Sequence, residues 1–278
     1  MEQIPRLPEL AEEDARGYTL EVFDQIKELS GVPMVALIYR HMAALSGVLE
    51  WAWETLEPVM VTGHLQEQAW SIARVVELPA IVPIPLVARR AAGIDFENDA
   101  DIVNLLAAFN RANPINAVAL RYLARQLDAG EAPSIVKATP ISEWRPPAVL
   151  PDLPSMPLLE EIDPRVLELI SWLSHRDQGR YQGIWPSLYR YLARQPTFLA
   201  FAAIVLPPHF VSIDLAAEEM RSRITLVADS LPLVHSARPE GFVGVEFALR
   251  RAMEEFSTLI PEMLVVGLLL ERAMGQIA

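Results

Sequence analysis

The sequence predicts an all-α fold of two pseudo-symmetric helical repeats, residues 1–130 and 164–278, joined by a long proline-rich linker over 131–163. Three observations predict it. The dominant hydrophobic period is helical: Leu20, Phe23, Ile26 and Leu29 form one stripe, and Ile102, Leu105, Leu106 and Phe109 another. No run alternates apolar and polar residues between hairpin-type turns, and only 12 of the 278 residues are glycine. Eight of the 23 prolines fall between Pro133 and Pro164, where no helix can be sustained and a semi-rigid extended connector is expected.

Taken in order, the first stripe marks a helix around Leu20–Leu29 and the second a helix around Ile102–Phe109. Asn113-Pro114 and Asp163-Pro164 each set a capping side chain before a proline suited to the first helical position, so a helix is expected to start at each. The two halves also match each other. At an offset of 150, Tyr39-Arg40 meets Tyr189-Arg190, Ala43 meets Ala193, Leu49 meets Leu199 and Pro58 meets Pro208. At an offset of 147, Phe109 meets Phe256, Pro114 meets Pro261, Leu123 meets Leu270 and Arg125 meets Arg272. Ordered matches of this kind read as an internal duplication, and a cleft between two such units is a natural place for a ligand.

Composition narrows the function. Apolar types make up 52% of the chain and charged types 21%, enough for a large core and against disorder. With no cysteine, disulfides, thiolate metal sites and cysteine nucleophiles are excluded. A net charge of −13 argues against nucleic acid or an anionic membrane as partner. The apolar stretches Thr197–Val211 and Met263–Leu270 are shorter than the ~20 residues of a membrane span, and Pro207 and Pro208 interrupt the first. The opening MEQIPRLPEL lacks an export signal's basic and apolar regions, so a cytoplasmic location is expected. Exposed aromatic helices would suit a homodimer.

His41, His64, His175, His209 and His235 are isolated, with no HxxxH, HExxH or Glu-x-x-His spacing, so no metal is expected. No phosphate-binding glycine loop and no GxSxG occurs, and no cofactor is expected. Arg40 and Arg190 stand at equivalent places in the two halves. They could grip a substrate carboxylate, or tie helix to linker carboxylates, and their presence in both halves favours the structural role. Asn113 is an ideal cap before Pro114, but the matching Ile260 before Pro261 cannot cap, which keeps a functional role for Asn113 open. Trp51, Trp53 and Trp70 read as packing residues rather than a ligand cage.

The order Val32-Pro33, Trp53, FNRANP (Phe109–Pro114), a proline-rich connector and a second degenerate copy resembles the group I 2-haloacid dehalogenases, the DehI type. The arrangement also looks like the carboxymuconolactone decarboxylase and alkylhydroperoxidase helical folds, which use cysteines this chain lacks. The first resemblance implies an all-helical protein with its site between two repeats and no metal or cofactor. It implies hydrolysis of small 2-halocarboxylic acids by water that an aspartate of the second repeat activates, with inversion at C2. Asn113 matches the family asparagine that helps place water or substrate. Ser187 agrees with the family's serine, but Leu188 stands in the aspartate's place, and Met34 and Leu37 replace larger aromatic residues. Leucine accepts no proton. Asp177 is the nearest upstream carboxylate that a rearranged loop could supply. The expectation is a dehalogenase-like protein with altered or lost activity; the alternative is a non-catalytic or differently catalytic protein that holds a small organic acid between its repeats. Asn113 is expected to face a pocket with Met34, Leu37, Ser187 and Leu188.

Overall fold

Two long helices meet along the middle of the molecule, and the central stretch of each is buried all round. The computed structural model describes residues 7–129, 141, 144–174, 184–234, 237–238 and 241–275. In α6 (Phe96–Ala129) every residue from Ala112 to Leu120 is buried, and in α11 (Phe242–Met274) every residue from Leu259 to Gly267. A helix buried on all sides has no solvent face to alternate with its core face, and these two pack most extensively on each other. No strand occurs among the described residues, and the all-α expectation holds.

Each central helix carries a proline inside it, Pro114 in α6 and Pro261 in α11. This corrects the expected helix start at Asn113-Pro114: Asn113 lies in mid-helix and caps nothing. An internal proline forfeits one backbone hydrogen bond and costs about 3 kcal/mol. Buried apolar side chains stabilise by roughly 1.5–3 kcal/mol each, and Leu259, Ile260, Met263 and Leu264 on α11 together outweigh that loss. Tertiary packing overrides the local stop signal. At Asp163-Pro164 the signal holds: α7 (Pro164–Ser174) begins there, and Asp163 Oδ1 accepts the Arg165 N–H at 2.8 Å. The Arg165 guanidinium on the same carboxyl lowers its pKa to about 2.

Shorter helices surround this pair. The first half adds α1 (Gly17–Ser30), α2 (Leu37–Ala43), α3 (Val48–Met60), α4 (His64–Val75) and α5 (Leu86–Ala91). The second adds α8 (Ser187–Leu192), α9 (Pro196–Val205) and α10 (Phe210–Ser230). The stripe read on α1 is half right: Phe23 and Ile26 are buried, while Leu20 is exposed. Trp51 and Trp53 are core residues, Trp51 tilted against Phe242 and Trp53 donating to Gln25 Oε1 at 2.8 Å. By length and composition the run Pro196–Ser230 could cross a membrane. A 3-10 turn at Pro207–His209 interrupts it, and Ile213, Ala217, Met220 and Ile224 of α10 are buried in a helix that packs on α6 and α11.

The described part of the proline-rich segment runs extended across both halves. Trp144 lies over Gly63 and Pro147 over Gly31, two left-handed glycines whose missing Cβ leaves room for them. Arg111 donates to Gly31 O at 2.8 Å and to Ala148 O at 2.9 Å. Farther on, Arg194 donates to Ser155 O and Arg190 to Pro157 O.

Candidate functional site

A cavity of about 50 Å³ lies where the starts of α2 and α8 approach the middles of α6 and α11. Helical spacing selects its walls: Phe109, Asn113 and Asn116 share one face of α6, and Phe256, Leu259, Ile260 and Met263 one face of α11. Met34, Leu37 and Arg40 come from α2 and the turn before it, Ser187, Leu188 and Tyr191 from α8, and Met156 from the linker. The five residues singled out in the sequence, Asn113, Met34, Leu37, Ser187 and Leu188, thus stand around one cavity. The volume suits a molecule of a few heavy atoms, well below the ~300–1,000 Å³ of drug-sized sites.

Its chemistry is mostly apolar with a few polar points. Asn113 is buried, and its Nδ2 has no hydrogen-bond partner among the described residues. A buried amide donor is nearly always paired, so an orphan on a cavity wall suits a molecule that accepts from it. Arg40 brings a positive charge, paired with Glu9, and none of the described lining residues is acidic. Leu188 is fully buried among the lining residues, where a carboxylate would be needed to take a proton from water.

Arg40 and Arg190 are both engaged by the chain itself. Arg40 Nη2 lies 3.0 Å from Glu9 Oε2, and Arg190 Nη1 lies 3.2 Å from Glu9 Oε1. Arg40 Nε donates to Leu10 O at 3.0 Å. The structural reading of the pair therefore holds: the N-terminal segment supplies a carboxylate to both arginines, and the linker supplies the Pro157 carbonyl to Arg190. The same segment is fastened by His41 Nδ1 on Pro8 O at 2.7 Å and by the Val35 N–H on Glu12 Oε1 at 3.0 Å. Burial raises the Glu12 carboxyl pKa, against the lowering effect of the Val35 hydrogen bond and the Arg40 charge.

Tyr191 and Asn116 are lining residues that the sequence reading missed. Tyr191 sits four residues after Ser187 and three after Leu188, the helical spacing that keeps side chains on one face, so the signal was present. Burial, with a further contribution from the Glu12 charge, pushes its phenol up to about 12, so it stays protonated near neutrality. Among the described residues no group of carboxylates and histidines is placed to hold a metal. Asp177 lies outside the described residues.

Comparison with known proteins ties this site to a fold. No family model matches the chain. A configuration-inverting 2-haloacid dehalogenase of Alcaligenes xylosoxydans xylosoxydans is 30% identical over 154 residues, a match that spans about half of each protein, 53% of this chain and 51% of the relative. A solved D-2-haloacid dehalogenase in complex with L-LA superposes with a TM-score of 0.69 over 97% of this chain and 95% of its own, at 17% identity. A mutant D-2-haloacid dehalogenase in complex with D-2-CPA gives 0.67 over 97% and 94%, also at 17% identity. The chain has the 2-haloacid dehalogenase fold. The resemblance read in the sequence stands, and the chain is a dehalogenase-like protein. Within the dehalogenase fold, the Asn113 cavity is assembled from four helices and the linker.

Proposed function

We propose that this dehalogenase-like protein binds a small organic acid in the Asn113 cavity, between two helical repeats of common origin, and that its hydrolysis of carbon–halogen bonds is weak or lost. The observation that carries the reading is the orphaned Asn113 Nδ2 on the wall of a cavity that also holds Arg40 and no acidic residue. A donor amide on an apolar pocket, beside a guanidinium already paired with Glu9, complements a short carboxylate with an apolar or halogen substituent. The absence of an anion-repelling group on the wall agrees with this despite the chain's net charge of −13.

The chemistry of the dehalogenases explains the second half of the reading. Direct hydrolysis forms a C–O bond at C2 while the carbon–halogen bond breaks and the halide leaves with its electron pair. The attacking water must lose a proton, and a positioned base is worth about 10²–10⁴-fold. Asn113 can orient water but is far too weak a base to take that proton. Leu188 offers no acceptor and makes its part of the wall apolar, so a water there is poorly oriented. A cytoplasmic location fits the same reading, since small organic acids are plentiful substrates there.

Halide release from both enantiomers of 2-chloropropionate, measured beside acid-induced stabilisation of the protein, tests it. Stabilisation by the acids with halide release near background is the expected result, and Leu188→Asp is expected to raise release by at least tenfold. Robust turnover by the unmodified chain would overturn the lost-base reading. Failure of every short acid to stabilise the protein would overturn the ligand.

A further inference from the structure

A second, larger chamber of about 250 Å³ adjoins the Asn113 cavity, and among the described residues Tyr191 is the one that lines both. Two elements run from one chamber to the other. On α6, Leu105 lines the larger chamber and Phe109, four residues on, lines the smaller. On α8 and its end, Leu188 lines the smaller chamber and Arg194 the larger, with Tyr191 between them. The partition is an aromatic pair. The rings of Tyr191 and Phe109 meet edge to face with centroids 5.7 Å apart. The two chambers differ in lining: the smaller is walled mostly by buried apolar residues, while the larger carries exposed Asp101, Asp152 and Arg194.

We propose that Tyr191, backed by Phe109, is the residue that sets the chain-length limit of the acids this protein accepts, by closing the Asn113 cavity off from the outer chamber. The inference rests on the proposed reading of that cavity as a small-acid site. Its physical basis is volume. A cavity of about 50 Å³ leaves little room for substituents beyond the shortest, whereas removal of the Tyr191 ring joins it to a chamber of about 250 Å³ along the line that α6 and α8 both follow. An acid anchored at Asn113 would then extend its tail past residue 191.

Affinities of the unmodified protein and of Tyr191→Ala for 2-chloropropionate, 2-chlorobutyrate and 2-chlorohexanoate, measured by calorimetry, test this. In the unmodified protein affinity is expected to fall at least tenfold from the three-carbon to the six-carbon acid. In Tyr191→Ala the order is expected to reverse, with a gain of up to about fourfold per added methylene, the value of burying one. Tyr191→Leu and Phe109→Leu thin the same partition with less loss of packing and are expected to move the limit in the same direction, so the test survives if the alanine variant does not fold. An unchanged order of affinities in folded Tyr191 and Phe109 variants, with short acids still bound, would sink the assignment of Tyr191 alone. If the unmodified protein binds none of the three acids, the cavity reading itself fails and the length limit falls with it.

Discussion

Asn113 separates a functional from a structural asparagine. In mid-helix it caps nothing, and its amide nitrogen is buried without a partner, a condition that costs roughly 1–3 kcal/mol of desolvation. Asn113→Leu is therefore expected to change the stability of the ligand-free protein by no more than about 1 kcal/mol while abolishing stabilisation by short acids. Denaturant unfolding with and without 2-chloropropionate checks it. A large loss of stability with acid binding intact would make Asn113 a structural residue. His41 carries a pH prediction. Its Nδ1 donates to Pro8 O when the ring is neutral, and its Nε2 is buried without a partner, so a second proton would have nowhere to point. Burial lowers its pKa from 6.5, against the opposing pull of the Pro8 carbonyl and Glu9. A histidine with a lowered pKa binds fewer protons folded than unfolded, so its contribution is full above 6.5 and is lost as pH falls through the window just below. The melting temperature is expected to drop on acidification from pH 7 to 5.5, and His41→Gln to flatten that part of the profile.

At the scale of elements, the segments without regular structure hold the helices in place. The N-terminal segment places one carboxylate, Glu9, between guanidinium groups of the first and second halves. Glu9→Gln removes that charge from between two buried arginines, and about 3 kcal/mol of stability is expected to go with it, measurable by urea unfolding. The linker depends on two glycines. Gly63 has φ +79 and lies under Trp144, so Gly63→Ala both strains the backbone, by roughly 1–2 kcal/mol, and displaces the indole. Faster chymotryptic cleavage after Trp144 is the expected consequence; an unchanged cleavage rate would show that the Gly63 contact does not hold the linker down. The central helices show why local punctuation misled. Asn113-Pro114 has the composition of a helix start, and Asp163-Pro164 has nearly the same. The first lies in a fully buried stretch where packing holds the helix straight through the proline, while the second follows an extended segment with nothing upstream to continue.

For the whole molecule, the core is shared between the halves: α6 of the first lies along α11 of the second, and Leu259 to Val266 are buried without a break. A fragment of residues 164–278 would expose that face. It is expected to show no cooperative calorimetric transition alone, whereas the full chain unfolds in a single one; a sharp transition in the fragment would show that it folds alone. The sequence by itself determined the all-α class, because the period of 3.6 residues is written locally along each helix and needs no partner to be read. It also determined which residues to watch, since Asn113, Met34, Leu37, Ser187 and Leu188 could be named through a family likeness before any geometry was known. Tertiary structure alone decided that α6 and α11 run through their prolines, that Glu9 fills the grip of Arg40 and Arg190, and that Tyr191 lines two cavities. Each of these depends on groups far apart in the chain. Glu9 is one of 36 acidic residues and Arg40 and Arg190 are two of 23 basic ones, and only packing, which fixes distances no local pattern encodes, selects which of them meet.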